Sequence, residues 1–315
     1  MTRPILVAVV ALHLVLGACA SKARSTLIGS PTTLQMSELW IAPADLARRD
    51  LFHGPGGAES APRPDGRYEF VDRDLKGFSK GYDVNDERGR RWSVKLGPEA
   101  QTEVVVSRLL WAVGYHQPAV YYLPKWGLVD STGMTPQGAG RFRLERKSEE
   151  KLEPWAWHEN PFVGTRQLAG LFVLMVLVNN WDVKTSQNMV YHVNRETDGP
   201  RQLYVVRDLG ASLGRTSWFF PGTRSDVEGF EREPFIKSVN ETVEFHYRGA
   251  WREPHLKRSV KPGDVRWMCE LLARLSPRQW QEAFRAGGYE DSVATRYIRR
   301  LHQKIADGLK LPAES

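Results

Sequence analysis

The chain opens with an apolar run from Ile5 to Leu16, broken only by His13, and then turns polar. That run is shorter than the roughly 20 residues a helix needs to cross a bilayer. Ala20 to Thr33 reads as a polar tether. The stretch 34–67 reads as an extension, with apolar positions from Leu34 to Phe52 suited to a short helix and turn. His53 to Gly66 follows as a Gly/Pro-rich loop. From Tyr68 the pattern alternates. YEFV leads through KGFSKGYDV and the turn NDERG into RRWSVKL, which predicts a β-hairpin. Glu99 to Val113 then predicts a helix, with Val105, Leu109, Leu110 and Ala112 recurring on one side and Gly114 as its stop. Ala119–Leu123 and Arg141–Glu145 predict two further strands.

A polar, Trp-rich connector, EPWAWHENP, opens the second half. Thr165 to Asn180 predicts a helix whose centre, LAGLFVLMVLV, is apolar all round. It is too short to span a membrane and is expected as a buried core helix. MVYHV and LYVVR predict strands on either side of the turn ETDGP. The C-terminal part reads as helical, with Asp264 capping one helix and Ser276, followed by Pro277, opening another. The pattern is therefore α+β: a small β-rich region with one helix over 68–151, then a larger, mainly helical region over 152–315.

Charge changes this picture little. Lys and Arg number 44 against 37 Asp and Glu, a net +7 dispersed along the chain without a basic stripe. That argues against nucleic acid as a partner and is compatible with an anionic nucleotide, an acidic substrate or a lipid surface. The cysteines say more. Leu16-Gly17-Ala18-Cys19 after an apolar run resembles a bacterial lipoprotein signal, in which removal of residues 1–18 leaves Cys19 as the lipidated, palmitate-type N-terminus. Ala20 stands where inner-membrane retention is associated with aspartate, so the resemblance implies an outer-membrane anchor in the cell envelope. With Cys19 lipidated, only Cys269 remains, and no intrachain disulfide can form. Cys269 lies in the amphipathic pattern DVRWMCELLARL and is expected in the core. The eight histidines are scattered without metal-type spacing and read as surface or packing residues.

Candidate chemistry concentrates in NNWDVKTSQN, ending at Asn188, and LYVVRDLG, ending at Gly210. Asp182 follows the apolar helix at its C-terminal end, where a carboxylate gains nothing from the helix dipole. Asp208 ends a β-branched strand. A carboxylate to orient a hydroxyl, an amide, and a second carboxylate for a metal are the parts phosphoryl transfer requires. Upstream, Lys95 sits in WSVKL before a helix carrying Glu103, with Glu99 a competing partner one turn nearer the helix start. Gly77 and Gly81 lie in KGFSKGY, where backbone amides free of side-chain bulk suit a phosphate-covering loop.

In order and spacing these segments resemble protein-kinase-like enzymes, the atypical branches such as the HipA-type and spore-coat kinases above all. The chain departs from the common pattern in several places. Asn179-Asn180-Trp181 precedes the acid where His-Arg is usual, and one more residue separates Asp182 from Asn188 than in HRDxxxxN. Leu209 replaces the usual phenylalanine, and SVK replaces VAIK. The resemblance implies a bilobal fold with an N-lobe over 68–151 and a C-lobe over 152–315. It implies ATP held at its phosphates by Lys95, aligned by Glu103 and covered by Gly77 and Gly81. Mg2+ or Mn2+ would sit at Asn188 and Asp208, Asp182 would position or deprotonate an acceptor hydroxyl, and Lys184 would neutralise the transferring group. The same residues would serve a non-catalytic scaffold, a nucleotide-binding protein or an adenylyl-transferring enzyme. The acceptor, whether protein, glycan, lipid or small molecule, is not written in the sequence.

The lipoprotein reading has a direct test. Cys19→Ser is expected to leave an unprocessed or soluble species in fractionated cells. Unchanged processing and membrane association in that variant would overturn it.

Overall fold

The computed structural model describes residues 30–74, 79–194, 199–217 and 221–313. The signal-like segment with Cys19, and Gly77 of the glycine loop, lie outside the described residues. A short helix α1 (Thr33–Met36) begins the described chain. It is capped by Thr32, whose hydroxyl accepts the Gln35 N–H at 3.2 Å.

The first half builds a seven-stranded sheet from β1 (Arg67–Asp74), β2 (Gly81–Asp86), β3 (Arg91–Leu96), β4 (Val120–Leu123), β5 (Trp126–Asp130), β6 (Gly133–Gln137) and β7 (Gly140–Glu145), in the order β4-β7-β3-β2-β1-β5-β6. The β2–β3 hairpin forms as its turn chemistry predicts. Asp86 Oδ1 accepts the N–H groups of Arg88 and Arg90 at 3.0 and 2.9 Å, and Gly89 supplies the left-handed residue at φ 69°. Strands β5 and β6 have no counterpart in the sequence reading. Their KWGLVDSTGMTPQ segment is interrupted by glycines and a proline, which mask the alternation. One face of the sheet buries an aromatic cluster of Tyr68, Trp92, Tyr121, Trp126 and Phe142.

Helix α2 (Glu99–Ala112) covers the other face. It is buried nearly all round, with Thr102, Glu103, Ser107 and Arg108 inside as well as its valines and leucines. Gly114 ends it at φ 105°, in a place where any Cβ would collide with the Ile41 carbonyl. The N-terminal extension then ties α2 to the C-terminal helices. Trp40 bridges to Tyr115, and the Gln279 amide donates to the Leu46 carbonyl at 2.7 Å.

The second half places α3 (Arg166–Leu177) at the centre, capped by Thr165, whose hydroxyl accepts the Leu168 N–H at 3.3 Å. A small sheet forms from β8 (Glu149–Lys151), β9 (Asn188–Val193) and β10 (Gln202–Val206), with β9 in the middle. Strand β8, which the sequence reading assigned to the first region, therefore pairs with strands of the second. Then come α4 (Val227–Arg232), the ribbon of β11 (Ile236–Val239) and β12 (Val243–Phe245), α5 (Pro262–Ala273), α6 (Pro277–Ala286) and α7 (Asp291–Leu309). Ser276 caps α6 as expected. Asp264 lies within the first turn of α5, accepting the Lys261 N–H at 3.0 Å from there instead of from the position preceding the helix. The large core joins α3, α5, α6 and α7 with the apolar side of α2 and Leu39, Leu46 and Leu51 of the extension. Cys269 is in it, completely buried, and burial pushes its thiol up to about 12. No described helix is long and apolar enough to cross a membrane.

The α5–α7 contact rests on Gly308, where a Cβ would collide with the Cys269 sulfur. Alanine in a helix interior normally gains about 0.5–1 kcal/mol over glycine. Here overpacking should reverse the sign, and Gly308→Ala is expected to lose about 1–3 kcal/mol in denaturant unfolding. Adding Cys269→Ala, which removes the sulfur, should restore part of that loss. Additive effects of the two substitutions would contradict the contact.

Candidate active site

Strand β3 alternates, with Trp92 and Val94 in the aromatic core and Ser93 and Lys95 on the opposite face, toward α2. On the neighbouring strand β7, Phe142 joins the core while Arg141 and Arg143 share the face of Lys95. The register sets Lys95 opposite Arg141 and Ser93 opposite Arg143. Cations directly opposite one another on a sheet repel. Glu103 of α2 compensates them from a position 1% exposed: its Oε1 accepts from Arg143 at 2.5 Å and lies 3.0 Å from Arg141 Nε. Lys95 Nζ is 3.6 Å from the other carboxylate oxygen. Burial alone would raise the Glu103 pKa, but Arg141, Lys95 and Arg143 together hold it down at about 2. Burial likewise pulls on Lys95, and Glu103, Asp208 and Glu99 outweigh it, so its pKa stays above the ordinary lysine value.

Lys95 thus meets three carboxylates. Its shortest contact is with Asp208 Oδ1, at 2.9 Å, and Glu99 Oε2 lies at 3.5 Å. Both oxygens of Glu99 are engaged elsewhere as well, by the Ser79 hydroxyl at 2.7 Å and by Arg224 at 2.6 Å. Gly210, two residues past Asp208, is required by this approach: a Cβ there would lie 2.5 Å from Glu99 Cβ. The Gly210 carbonyl accepts from Thr102 Oγ1 at 2.8 Å, so α2 is fastened directly to the segment that carries Asp208.

On the facing wall, the loop after α3 is pinned at its backbone. Trp181 N–H donates to the Ala211 carbonyl at 3.1 Å, Leu213 N–H to Val178 at 2.8 Å, and the Tyr247 hydroxyl to the Asn180 carbonyl. Asn179 turns the chain in the left-handed region at φ 54°. This presents Asp182, whose Oδ2 accepts from Lys184 Nζ at 2.6 Å and from the Gln187 amide at 2.8 Å. A cleft of about 470 Å³ lies between the two walls. It is lined by six cationic side chains, Lys95, Arg141, Arg143, Lys184, Arg207 and Arg224, against the acids Glu99, Asp182 and Asp208. The surplus of positive charge suits a polyanion.

Lys95, Glu103, Asp182, Lys184 and Asp208 are therefore brought to one place from four separate stretches of sequence. Asn188 is not. It begins β9, 1% exposed, and its amide donates to the Trp155 carbonyl at 2.9 Å in the interior. The preceding Gln187, the last residue of a short 3-10 turn over Thr185–Gln187, lines the cleft instead. Gln187 is also the amide at the ordinary spacing from Asp182, with four residues between them, and applying that spacing would have found it. Gly81 is not in a loop but is the first residue of β2, paired with Lys95. From the glycine segment, Ser79 reaches the cleft. Arg141, Arg143, Arg207 and Arg224 escaped the sequence reading, although Arg141 and Arg143 at alternate strand positions carried a signal.

Gln187 and Asp208 are held side by side, since the Arg207 N–H donates to the Gln187 carbonyl at 2.8 Å. Gln187 uses its amide nitrogen on Asp182, and its side-chain carbonyl accepts nothing from the described residues. Asp208, with its side chain 38% exposed, uses one oxygen on Lys95. The free oxygens of these two side chains suit a hard divalent cation.

No family model and no curated protein matches the sequence. Among solved structures, the chain is similar to the Helicobacter pylori proinflammatory kinase CtkA, at 9% identity over 76% of this chain and 98% of that one, with a TM-score of 0.34. It is similar to the Golgi casein kinase at 10% identity over 88% and 85%, with a TM-score of 0.40. A Golgi casein kinase structure with Mn/ADP bound gives 10%, 79% and 73%, with a TM-score of 0.35. Similarity this distant gives no residue a role.

Glu103 offers a test of the buried charge cluster. Its depressed pKa means that its ionised form stabilises the fold above the ordinary value of 4.5, and that this contribution is lost as pH falls toward about 2. Glu103→Gln should cost about 3–5 kcal/mol near neutral pH, because two buried guanidinium groups lose their counter-charge. In urea titrations across pH, the gap to wild type should narrow steadily below 4.5. A gap that does not vary with pH would contradict the electrostatic role.

Proposed function

We propose that this chain is a kinase-like phosphotransferase that uses ATP and a divalent metal, Mg2+ or Mn2+, and acts in the bacterial envelope from a lipid anchor at Cys19. The observation that supports this best is the cleft itself. A strand lysine tied to a helix carboxylate and to Asp208 faces an acid–lysine–amide loop across a cationic gap. The fold expected with that activity is the bilobal kinase plan, with α2 as the helix of the smaller lobe.

In this reading Lys95 takes the ATP phosphates, and Arg224 and Arg207 add positive charge along the same wall. Asp208 and Gln187 would hold the metal. When bound, that ion would neutralise charge on the phosphates and fix their orientation. Asp182 has its Oδ2 occupied by Lys184 and Gln187, which leaves Oδ1 to accept the proton of an incoming hydroxyl. The hydroxyl oxygen bonds to the γ-phosphorus as the bond to the ADP oxygen breaks, and the proton passes to Asp182. Lys184, already beside Asp182, is placed to stabilise charge on the transferring group. Lys95 stays protonated throughout the neutral range, because its carboxylate partners outweigh burial.

Two variants separate binding from chemistry. Asp182→Ala should lower transfer from labelled ATP to envelope extracts by about a hundred- to ten-thousand-fold while nucleotide with Mg2+ still raises the melting temperature. Lys95→Ala should lose that stabilisation, and Gln187→Ala should lose its dependence on metal. Equal labelling by wild type and Asp182→Ala would overturn the catalytic assignment. If Asn188→Ala, and not Gln187→Ala, removed the metal dependence, the metal position would be wrong.

A further inference from the structure

A second cluster of metal-ligating side chains lies behind the loop that carries Asp182. His158 belongs to the connector between β8 and α3, and is fixed at its root by Trp157, which is 1% exposed. Glu253 and His255 come from the segment between β12 and α5, and Glu253 is 95 residues from His158 in sequence. Glu253 Oε2 lies 3.4 Å from His158 Nδ1 and 3.9 Å from His255 Nδ1. The two imidazoles meet edge to face, with centroids 5.5 Å apart, and the three candidate ligand atoms all lie within 4.8 Å of one another.

The carboxylate is the informative member. Its side chain is 5% exposed, and among the described residues no Lys or Arg pairs with it. From the described residues its other oxygen receives the Thr185 hydroxyl alone, at 3.3 Å. A buried carboxylate calls for a positive partner, and the groups on offer among the described residues are two imidazoles that are 59% and 44% exposed at the side chain. Two neutral imidazoles and a carboxylate, converging on one point, are a ligand set for a borderline divalent ion.

We propose that His158, Glu253 and His255 bind Zn2+, independently of the metal at Asp208. With zinc–nitrogen and zinc–oxygen bonds of about 2.0–2.2 Å, the ligand atoms of a tetrahedron stand roughly 3.3 Å apart. The two carboxylate–imidazole distances, 3.4 and 3.9 Å, already approach that spacing. Glu253 is fixed by burial, and the exposed imidazoles supply the remaining movement. Three protein ligands leave a fourth position. Both histidines border a cavity of about 580 Å³ from which water or a small anion can complete the shell. Two hard oxygen donors in the cleft favour Mg2+ or Mn2+, whereas imidazole nitrogen favours zinc, so the two sites discriminate by donor chemistry. Through Thr185, which opens the short helical turn that ends at Gln187, a bound zinc would brace the loop of Lys184 and Gln187 from behind.

The test needs no catalytic readout. The protein, stripped with EDTA and desalted, is titrated with ZnCl2 by calorimetry without nucleotide, and Co2+ is used in parallel for its visible ligand-field band. The expected result is one Zn2+ per chain, a zinc-dependent rise in melting temperature, and an intense tetrahedral-type Co2+ band. His158→Ala and His255→Ala change exposed side chains and should leave the fold intact while weakening Zn2+ by at least about ten-fold. Asp208→Ala and Gln187→Ala should leave Zn2+ affinity unchanged. Zinc binding that survives in the double histidine variant would place the ion elsewhere and overturn the proposal. So would no binding at micromolar Zn2+, which would make the cluster a hydrogen-bonded group only.

Discussion

Glu103 is the constraint on which the rest of the site depends. One fully buried carboxylate neutralises Arg141 and Arg143 on β7 and draws in Lys95 from β3. Without it, three cations on one face of the sheet would repel one another in a medium too poor in water to screen them. With it, α2 is fixed in rotation and height against the sheet, because a carboxylate that serves several donors has little freedom to move. The position of Lys95 and the seating of Glu99 beside Gly210 follow from that. Burial holds Arg141 at about 10, below an ordinary guanidinium. The cluster therefore sets geometry at an energetic cost, and aromatic packing on the far face of the sheet offsets it.

The opposite wall is fixed from a different direction. Lys304 of α7 is 1% exposed and donates to the Leu177 carbonyl at 3.0 Å and to Asn179 Oδ1 at 2.7 Å, so it closes the end of α3. Asn179 passes the contact on through its amide to the Gly214 carbonyl at 2.8 Å. Burial, reinforced by Arg300, lowers the lysine to about 7, and the Phe230 ring stacks 4.4 Å from its nitrogen. The last helix of the chain is thereby tied both to the turn before Asp182 and to the segment after Asp208. The extension does the same for α2 and α6 through Gln279 and the Leu46 carbonyl. Cleft geometry is thus a property of contacts made by parts of the chain that never reach the cleft.

Much of the architecture was legible because local rules and tertiary packing agree. The Asp86–Gly89 turn, the Thr165 and Ser276 caps, the Gly114 stop and the all-apolar α3 each carry a signal within a few residues. Strands β5 and β6 were hidden because glycine and proline interrupt their alternation, and the segment of β8 carried no sign of its pairing with β9 because pairing is not a local property. Within the site, Asp182 and Asp208 stood out because a carboxylate after an apolar helix or strand has no structural reward there. Asn188 matched the expected residue type, but the short 3-10 turn ending at Gln187 decides which of the two adjacent side chains faces the cleft.

By itself the sequence determined which residue types stand at the ends of α3 and β10, the alternation that faces Lys95 away from the aromatic core, and the positions where only glycine fits. These are encoded over a few residues, where turn chemistry, capping and periodicity act. Tertiary structure decided which of them meet. It set Glu99 and Glu103 together on Lys95, stacked Arg141 and Arg143 beneath the cleft, turned Gln187 in and Asn188 away, and brought His158 to Glu253 and His255. Those outcomes depend on strand register, helix rotation and long-range burial, in which the desolvation of a charge is balanced by partners tens of residues distant.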